Sequence, residues 1–484
     1  MGRPFFWKKK IRKYQKIQQM FSKETYQNRR AKLQQNLKGG VALFLGNVEN
    51  PMNFKDNTYP FRQDSSFLYY FGIQQPKLAA VIDIDRNRSI LFGDELSIDQ
   101  IVWMGRMETL QDKAERSGMD KTIAFDQLFS FVEQVVKEGR TLHFLPPYQP
   151  ENKILLSRLL GRKIVNLAPS VPLIKAVAAQ RSIKEEQEVH EIEKAVEVSN
   201  AMHLLAMQKA KPGVKEFELV SEMQKLAADH QMRFSYPSIL TVNGQILHNH
   251  YHGNTLQKGD LVLNDSGVET PMGYAGDLTR TFPVAATFTK RQRELYEIVH
   301  RAFQASQALL KPGLNFKAVH LKTAEVLTEG LTALGLMKGD VKESVAQHAF
   351  TLFFQCGVGH LMGLDVHDME DLGEQYVGYT QEEPKDKETF GWKSLRLGKA
   401  LDAGNVVTVE PGIYIIPDLI DIWEKEQKLA QFINYDKVNE YRDFGGIRIE
   451  DDFLITPEGY RLLGQGLLST ADEVEAFRAE ALEG

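Results

Sequence analysis

Residues 261–280 read LVLNDSGVETPMGYAGDLTR, an apolar run that ends in a carboxylate, followed by a turn and a second carboxylate. Successive side chains of a strand point to opposite faces, so Leu261, Leu263 and Asp265 are expected on one face. Asp277 follows Asp265 by twelve residues, a spacing that suits two antiparallel strands whose carboxylates come together. Because an unpaired buried carboxylate is costly, this pattern predicts that both charges have a partner.

A glycine-rich stretch, GVGHLMGLDVHD at residues 357–368, carries two histidines. Its glycines permit close backbone approach and unusual dihedral angles. His360 and His367 are seven residues apart. Taken alone, this spacing is compatible with metal ligands, with acid–base groups and with core histidines.

Two further strand-like stretches end in acidic residues. VVTVEPGIY at residues 406–414 is a β-branched run that ends in Glu410, where Pro-Gly stops the strand. If GIRIEDD at residues 446–452 is a strand, Arg448 and Glu450 point to the same face. Solvent-exposed acidic residues would not be expected to recur at the ends of apolar strands within one domain, so the pattern favours one shared site.

Charge balance predicts that this shared site binds metal ions. Four carboxylates gathered around one neutral imidazole would repel one another and take up protons, whereas two divalent cations would cancel their charge. Oxygen-dominated ligands without a thiolate favour ions such as Mn²⁺ over a thiolate-rich structural zinc site. Two such ions about 3.5–4 Å apart are a known arrangement in aminopeptidases.

These motifs, in this order, resemble those of the pita-bread metallopeptidases, specifically the aminopeptidase P and prolidase branch. RQDSSFLYYFG at residues 62–72 is similar to the N-terminal domain motif of that branch, which methionine aminopeptidases generally lack. The resemblance therefore extends over nearly the whole chain. It implies two divalent metal ions, with Mn²⁺ expected, bound by Asp265, Asp277, His360, Glu410 and Glu450.

The resemblance also implies four catalytic residues. Glu410 is the expected proton shuttle besides being a ligand, and His248 is similar to the substrate-side histidine of the family. His367 resembles the histidine that contacts the scissile carbonyl or stabilises the intermediate, and Arg448 resembles the arginine beside the last glutamate ligand. Two neighbouring histidines match less well and are left out of this set, namely His250 and His252.

The chain departs from the family pattern in three places. Cys356 stands where the family often has a histidine, which puts the tuning of the site in doubt and raises the prospect of sensitivity to oxidation or thiol reagents. A polar insertion lies around residues 380–393, and the segment from Asp265 to Asp277 is one residue longer than in common members. The five expected ligands are all retained.

The expected fold class is α/β (α+β), with two domains. Residues 1–177 are predicted to form an N-terminal mixed α/β domain, and residues 178–484 a pita-bread catalytic domain with pseudo-twofold helix/strand halves. Lys-Pro-Gly occurs between two predicted helices at 211–213 and again at 311–313, which suggests related halves. N-terminal strands are expected at 41–45, 79–84, 89–92 and 142–145, and a helix at 126–138.

Ser182 followed by Glu185 matches a capping box, which predicts the start of a long helix that reaches Ala210. We place the domain boundary near residues 175–181, just before this helix.

Composition limits the other roles of the chain. The 484 residues carry a net charge of −5, which argues against a general nucleic-acid binder, and no run is apolar enough to span a membrane. A single cysteine fits a reducing compartment, so a cytoplasmic location is expected. The basic segment at residues 8–13 is interpreted as a solvated helix or tail, with a membrane-surface or partner-binding arm as the alternative.

The family resemblance implies hydrolysis of the bond between an N-terminal residue and a following proline, by a hydroxide that bridges the two metal ions. The expected partners are peptides with proline at the second position and further copies of the chain, as a dimer or tetramer. A prolidase restricted to dipeptides is the first alternative. A non-catalytic binding protein on the same fold is the second, although such a protein need not keep five ligands.

Overall fold

The computed structural model describes residues 20–483, so the basic segment at 8–13 lies outside the described residues. The N-terminal part consists of seven helices and seven strands within these residues. The helices are α1 Lys23–Gln35, α2 Ser65–Phe71, α3 Ile98–Met104, α4 Leu110–Ser117, α5 Gln127–Lys137, α6 Pro150–Leu160 and α7 Val171–Ser182. The strands are β1 Val41–Leu45, β2 Pro51–Phe54, β3 Asn57–Thr58, β4 Ala79–Asp83, β5 Arg88–Phe92, β6 Lys121–Ile123 and β7 Leu142–Phe144.

Five of these strands form a mixed sheet in the order β6-β5-β4-β1-β7, with antiparallel pairs at its centre and parallel pairs at its edges. The alternating faces of β1 enter two separate cores. Val41 and Leu43 pack in one core with α5, whereas Phe44 packs on the other side, against Phe71 of α2. Coverage of both faces explains why the central strands are continuous apolar runs. The predicted N-terminal strands and the helix at 126–138 are confirmed to within about one residue.

The RQDSSFLYYFG motif forms the joint between the two parts of the chain. Its helix, α2, is capped by Asp64 and ends at Gly72, whose φ of 68° suits glycine. Arg62 precedes this helix and pairs with Glu269 at 3.2 Å. It also donates to the carbonyl oxygen of Leu364, so this motif anchors the N-terminal part on the catalytic part.

The catalytic part contains nine helices and ten strands within the described residues. The helices are α8 Glu186–Lys209, α9 Glu216–Asp229, α10 Lys290–Gln307, α11 Phe316–Ala333, α12 Val341–Ala346, α13 Glu374–Val377, α14 Pro417–Lys425, α15 Tyr435–Asn439 and α16 Ala471–Glu483. The strands are β8 Arg233–Phe234, β9 Ile239–Thr241, β10 Leu261–Asp265, β11 Val268–Glu269, β12 Thr279–Pro283, β13 Val406–Val409, β14 Gly412–Tyr414, β15 Gly446–Arg448, β16 Asp451–Thr456 and β17 Gly459–Leu462.

The expected relation between two halves appears in matching contacts of the Lys-Pro-Gly turns. Gly213, between α8 and α9, donates to the carbonyl oxygen of Leu256 at 2.9 Å. Gly313, between α10 and α11, donates to Leu401 at 2.8 Å. Each half also has a three-stranded sheet, β12-β10-β9 in one and β13-β16-β17 in the other. A bridge between Thr279 and Glu450 connects the two halves.

The predicted start of the long helix is wrong by about one turn. Ser182 is the last residue of α7, and α8 begins at Glu186 with Glu185 as its N-cap. Glu188 completes the capping box by accepting from the backbone N–H of Glu185. The hydrogen bond from the Glu185 N–H to Glu188 thus lies three residues after the capping box predicted at Ser182 and Glu185. The domain boundary near 175–181 stays a prediction.

Across residues 20–483, every helix is too short or too polar to cross a membrane.

Candidate metal centre

The predicted carboxylates and histidines converge because the strand ends of both halves meet. β10 and β12 are antiparallel, which places Asp265 opposite Thr279 and close to Asp277, just before β12. Glu410 directly follows β13, and Glu450 lies between β15 and β16. One cavity of about 260 Å³ is lined by all eight predicted site residues, namely His248, Asp265, Asp277, His360, His367, Glu410, Arg448 and Glu450.

Tyr236 joins the first two carboxylates. Its hydroxyl oxygen lies 2.6 Å from Oδ1 of Asp265 and 2.5 Å from Oδ1 of Asp277. A hydroxyl has one proton to donate, so the two carboxylates share a single donor. The sequence analysis missed Tyr236, because it precedes a three-residue strand and no local pattern connects it to either aspartate.

Thr279 connects the halves at the side-chain level. Its hydroxyl donates to Oε2 of Glu450 at 2.6 Å and accepts from Nε of Arg448 at 3.1 Å. Arg448 also donates to the hydroxyl oxygen of Tyr414 at 2.8 Å and pairs with Asp265. The side chains of Arg448 and Glu450 therefore lie on the same side of their segment, as the alternation predicted. The same alternation, applied from Asp277, could have identified Thr279.

His360 is oriented with one ring nitrogen toward the carboxylates. Its Nδ1 lies 3.1 Å from the carbonyl oxygen of Leu361, which can only accept, so Nδ1 carries a proton. Nε2 lies 3.4 Å from Asp277 and 3.7 Å from Glu410. Burial opposes charge on the ring, but these two carboxylates outweigh it and raise the pKa of His360. Nε2 is thus placed to bind a cation, or a proton when no cation is present.

The electrostatics of the cavity fit divalent cations. Ligand atoms of Asp277, His360 and Glu450 lie within 4.8 Å of one another. Burial and the charges of Asp277 and Glu410 hold the pKa of Glu450 well above its usual range. Burial likewise raises the pKa of Asp265. Burial would also raise the pKa of Asp277, but the hydrogen bond and charge of His360, together with the Tyr236 hydroxyl, outweigh it and lower the value. These buried acids, with one paired arginine among them, match hard, oxygen-preferring metal ions.

His367 belongs to a polar chain on the cavity wall. Its Nδ1 lies 2.7 Å from Oε2 of Glu370, which also accepts from Nε of Arg396 at 3.4 Å. Burial and the charge of His360 lower the pKa of His367 to about 4, and the hydrogen bond from His367 lowers that of Glu370 to about 2. His367 is therefore neutral near pH 7, with its proton on Nδ1. Its Nε2 remains for a ligand.

The three histidines in the loop after β9 divide into two groups. His248 and His250 both line the cavity, although the motif comparison left His250 out. His252 instead lies 3.1 Å from the carbonyl oxygen of Ser238, a contact that holds the loop in place.

Cys356 also lines the cavity, and burial raises the pKa of its thiol to about 12. Since the thiolate is the reactive form, this environment does not favour the expected sensitivity to thiol reagents.

Arg62 and Arg396 differ in how many hydrogen-bond donors their guanidinium groups leave available. Arg62 uses Nε and both Nη atoms for hydrogen bonds, with Gln63, Ser65 and Gly273 among its partners. Arg396 lines the cavity and is hydrogen-bonded through Nε alone within the described part of the chain. Arg396 is thus the arginine with donors left for a substrate.

Two family models cover both parts of the chain. Metallopeptidase family M24 matches residues 190–457, and the aminopeptidase P N-terminal domain matches residues 26–143. The chain is similar to the Xaa-Pro aminopeptidase of Escherichia coli strain K12, at 32% identity over 95% of this chain and 98% of that protein. It is also similar to the human Xaa-Pro dipeptidase, at 29% identity over 91% of this chain and 89% of that protein.

Solved structures show the same likeness. Zinc-substituted Escherichia coli aminopeptidase P in complex with product has a TM-score of 0.79 and 31% identity to this chain, and the match covers 96% of this chain and 99% of that one.

We predict that Glu410 makes the metal-free protein lose stability as the pH rises, relative to a Glu410→Gln variant. Burial raises the pKa of Glu410 to about 7 from its usual 4.5. The folded state therefore retains a proton at Glu410 that the unfolded chain releases, and the contribution of Glu410 to the free energy of unfolding falls between about pH 4.5 and pH 7. Each retained proton contributes up to about 1.4 kcal/mol per pH unit. Denaturant unfolding at several pH values measures this slope.

Two controls accompany this experiment. Metal-free Glu410→Gln should show a flatter dependence, and Mn²⁺ added at pH 7 should restore stability to the unmodified protein. The same pH dependence in Glu410→Gln as in the unmodified protein, with no response to Mn²⁺, would show that Glu410 retains no proton in the metal-free fold.

Proposed function

Because the chain belongs to metallopeptidase family M24, with an aminopeptidase P N-terminal domain ahead of its catalytic domain, we propose that it removes the N-terminal residue from peptides whose second residue is proline. The observation that carries this proposal is the cavity in which four carboxylates and His360 meet. Similarity to the Escherichia coli Xaa-Pro aminopeptidase, over nearly the full length of both chains, supports the same substrate class.

The family and its zinc-substituted relative imply divalent metal ions. We propose that two are bound, that Mn²⁺ is the working metal, and that the ligands are Asp265, Asp277, His360, Glu410 and Glu450. Charge balance supports two divalent ions, because four ionised carboxylates carry four negative charges. When bound, such ions polarise a carbonyl group and lower the pKa of water so that hydroxide is available near neutral pH.

Glu410 is the residue that we propose to move protons. Burial raises its pKa to about 7 in the metal-free protein, so small changes in nearby charge alter its protonation near neutral pH. Such a group can accept a proton from the attacking water and return it to the departing prolyl nitrogen. The departing nitrogen of any hydrolysed amide must receive a proton, and the bond before proline offers no N–H by which the site could hold it beforehand.

His367 and His248 are proposed to stabilise the negative charge that develops on the scissile carbonyl. Burial and His360 keep His367 neutral in the free protein with its proton on Nδ1, so it donates from Nε2 only after taking up a second proton, which the negative charge developing on the carbonyl would favour. Arg448 is proposed to hold Asp265 in position from the cavity wall. Apolar side chains on the cavity wall would contact the proline ring, namely Pro237, Ile239, Leu247 and Val366.

Arg396 is the specific observation that favours a second candidate function. A dipeptidase has to hold the free carboxylate that follows proline, and Arg396 lines the cavity with donors left over. Its pairing with Glu370 partly neutralises that charge, however. We therefore keep the aminopeptidase as the proposed function and the dipeptidase, represented by the human relative, as the alternative.

We also propose that the chain works in the cytoplasm as a homo-oligomer, a dimer or tetramer, with residues 1–177 as the N-terminal domain. The single cysteine supports a reducing compartment. Val102 and Trp103 of α3 are 74% and 86% exposed, which supports an interface on this helix, because exposed apolar patches mark contact surfaces.

Replacing the shuttle tests the chemistry. Glu410→Gln removes a base and a ligand charge, and kcat for an Xaa-Pro peptide should fall by at least about 10²-fold, the lower end for general acid–base catalysis. The measurement is a steady-state assay with saturating Mn²⁺. Glu426→Gln, at the exposed end of α14, is the matched control and should retain activity. Near-normal turnover of Glu410→Gln would reject its role.

The histidine roles predict a separation of turnover from metal binding. His248 and His367 are proposed to stabilise the charge on the scissile carbonyl, so His248→Ala and His367→Ala should each lower kcat by about 10-fold or more. Neither residue is a proposed metal ligand. Metal content, measured by elemental analysis, should stay near that of the unmodified protein. His360→Ala is the contrasting variant and should lose metal. Parallel loss of metal and activity in the first two variants would place them among the ligands instead.

Substrate length distinguishes the two candidate functions. With Mn²⁺ present, we expect an Xaa-Pro-Yaa tripeptide to be cut with higher kcat/KM than the matching Xaa-Pro dipeptide. Strong preference for the dipeptide would establish the dipeptidase instead. In that case Arg396→Leu should raise KM for the dipeptide by about 10-fold, the equivalent of one charge-assisted hydrogen bond, and leave an amide-capped analogue less affected. No hydrolysis of any proline peptide would reject both functions.

A further inference from the structure

We propose that Glu216 is a positioning residue for catalysis, because it fixes both ends of the loop that carries His248. The inference rests on the proposed function in one respect only, namely that His248 acts on the substrate. Glu216 is the first residue of α9 and is fully buried, yet no catalytic motif includes it. A buried carboxylate requires several donors to satisfy it, and those donors identify its role.

The donors to Glu216 come from both ends of one loop. The backbone N–H of Val242, at the end of β9, donates to Oε1 at 2.9 Å. The backbone N–H of Asn254 donates to Oε2 at 3.1 Å, and Nδ2 of Asn254 lies 3.0 Å from Oε2 and 3.1 Å from Oε1. The backbone N–H of Glu216 in turn donates to the carbonyl oxygen of Asn254 at 3.0 Å. One carboxylate thus closes the loop between residues 242 and 254.

The interior of the loop transmits this anchoring to His248. Asn249, the next residue, is buried and donates from Nδ2 to the hydroxyl of Thr241 at 3.0 Å. Thr241 belongs to β9 and is paired with Leu263 of β10, the strand that ends in Asp265. His248 is therefore held in a fixed position relative to the expected metal ligand Asp265, although His248 itself lies outside the sheet.

The loop is also held against the strand that carries Arg448. A Cβ added at Gly244 would lie 2.6 Å from the carbonyl oxygen of Gly446, so only glycine allows this approach. Gly446 begins β15, which ends at Arg448. This contact limits how far the loop can move toward β15, and Glu216 fixes its two ends.

Glutamine at position 216 would disrupt the anchoring with little change in shape. Both carboxylate oxygens accept hydrogen bonds, whereas the amide nitrogen of glutamine is a donor and cannot accept from the N–H groups of Val242 or Asn254. One end of the loop would lose its acceptor. Glu218→Gln is the matched control, because Glu218 lies in the same helical turn and accepts from the N–H of Lys215 without contacting the loop.

A double-mutant cycle tests the proposal. Glu216→Gln should lower kcat for an Xaa-Pro peptide by about 10-fold while KM and metal content change little, since the effect passes through His248. In a His248→Ala background the same substitution should cost less than about 2-fold, because residues that act through one another are not additive. An equal loss in both backgrounds would show a general structural role and overturn the proposal.

Hydrogen–deuterium exchange of residues 242–254 provides a readout that does not depend on activity. Exchange should be faster in Glu216→Gln than in the unmodified protein and unchanged in Glu218→Gln, whereas unaltered exchange in Glu216→Gln would overturn the anchoring itself. If Glu216→Gln does not fold, Asn254→Ala, which removes only the side-chain donor, is measured in the same cycle and decides the question. An unmodified protein without activity on proline peptides would refute the proposed function, and the exchange result would still decide the anchoring.

Discussion

Mutual repulsion among four carboxylates gathered in one cavity is the constraint around which the catalytic part is built. Burial raises the pKa of Glu410 and Glu450, so the metal-free fold can keep these groups together only by retaining protons. Arg448 and Tyr236 offset part of the charge at Asp265. The compensation is incomplete, because one guanidinium, the hydroxyl protons of Tyr236 and Thr279 and the ring of His360 face four acids. With the proposed ligands, divalent cations would complete the charge balance of the fold as well as the chemistry of the site.

The two related halves supply these charges in a way that neither could alone. One half contributes Asp265 and Asp277 from an antiparallel strand pair, and the other contributes Glu410 and Glu450 from strand ends. Each strand pair buries its apolar side chains and leaves a carboxylate where pairing stops, which avoids placing the charge inside the sheet. The hydroxyl of Thr279 then connects one half to the other through Glu450. Placement of the carboxylates at strand ends thus reconciles a buried core with a charged cavity.

The features of this chain that depend on local periodicity could be predicted from its sequence. Asp265 and Asp277 were expected side by side because strand alternation and turn length are local properties, and their placement is confirmed. The helix start at Ser182 was wrong because the preceding helix, α7, continues through that residue and an equivalent cap lies at Glu185. The contacts of Tyr236 and Glu370 could not be predicted, because they join segments whose approach is set by tertiary packing. The domain boundary and the roles of the site residues stay predictions.

The substitution at Cys356 bears directly on the charge balance of the site. A histidine, the residue often found there in the family that the motifs resemble, could take up a proton and offset a neighbouring carboxylate. Cys356 cannot, because a thiol has no basic nitrogen to protonate; burial raises its pKa to about 12, so it adds no negative charge either. Its sulfur lies 3.9 Å from the hydroxyl of Tyr414, at the edge of a hydrogen bond with sulfur, and Tyr414 is itself bound by Arg448. With one titratable cation fewer beside Glu410, compensation of the carboxylates in this chain depends more heavily on bound metal and on Arg448.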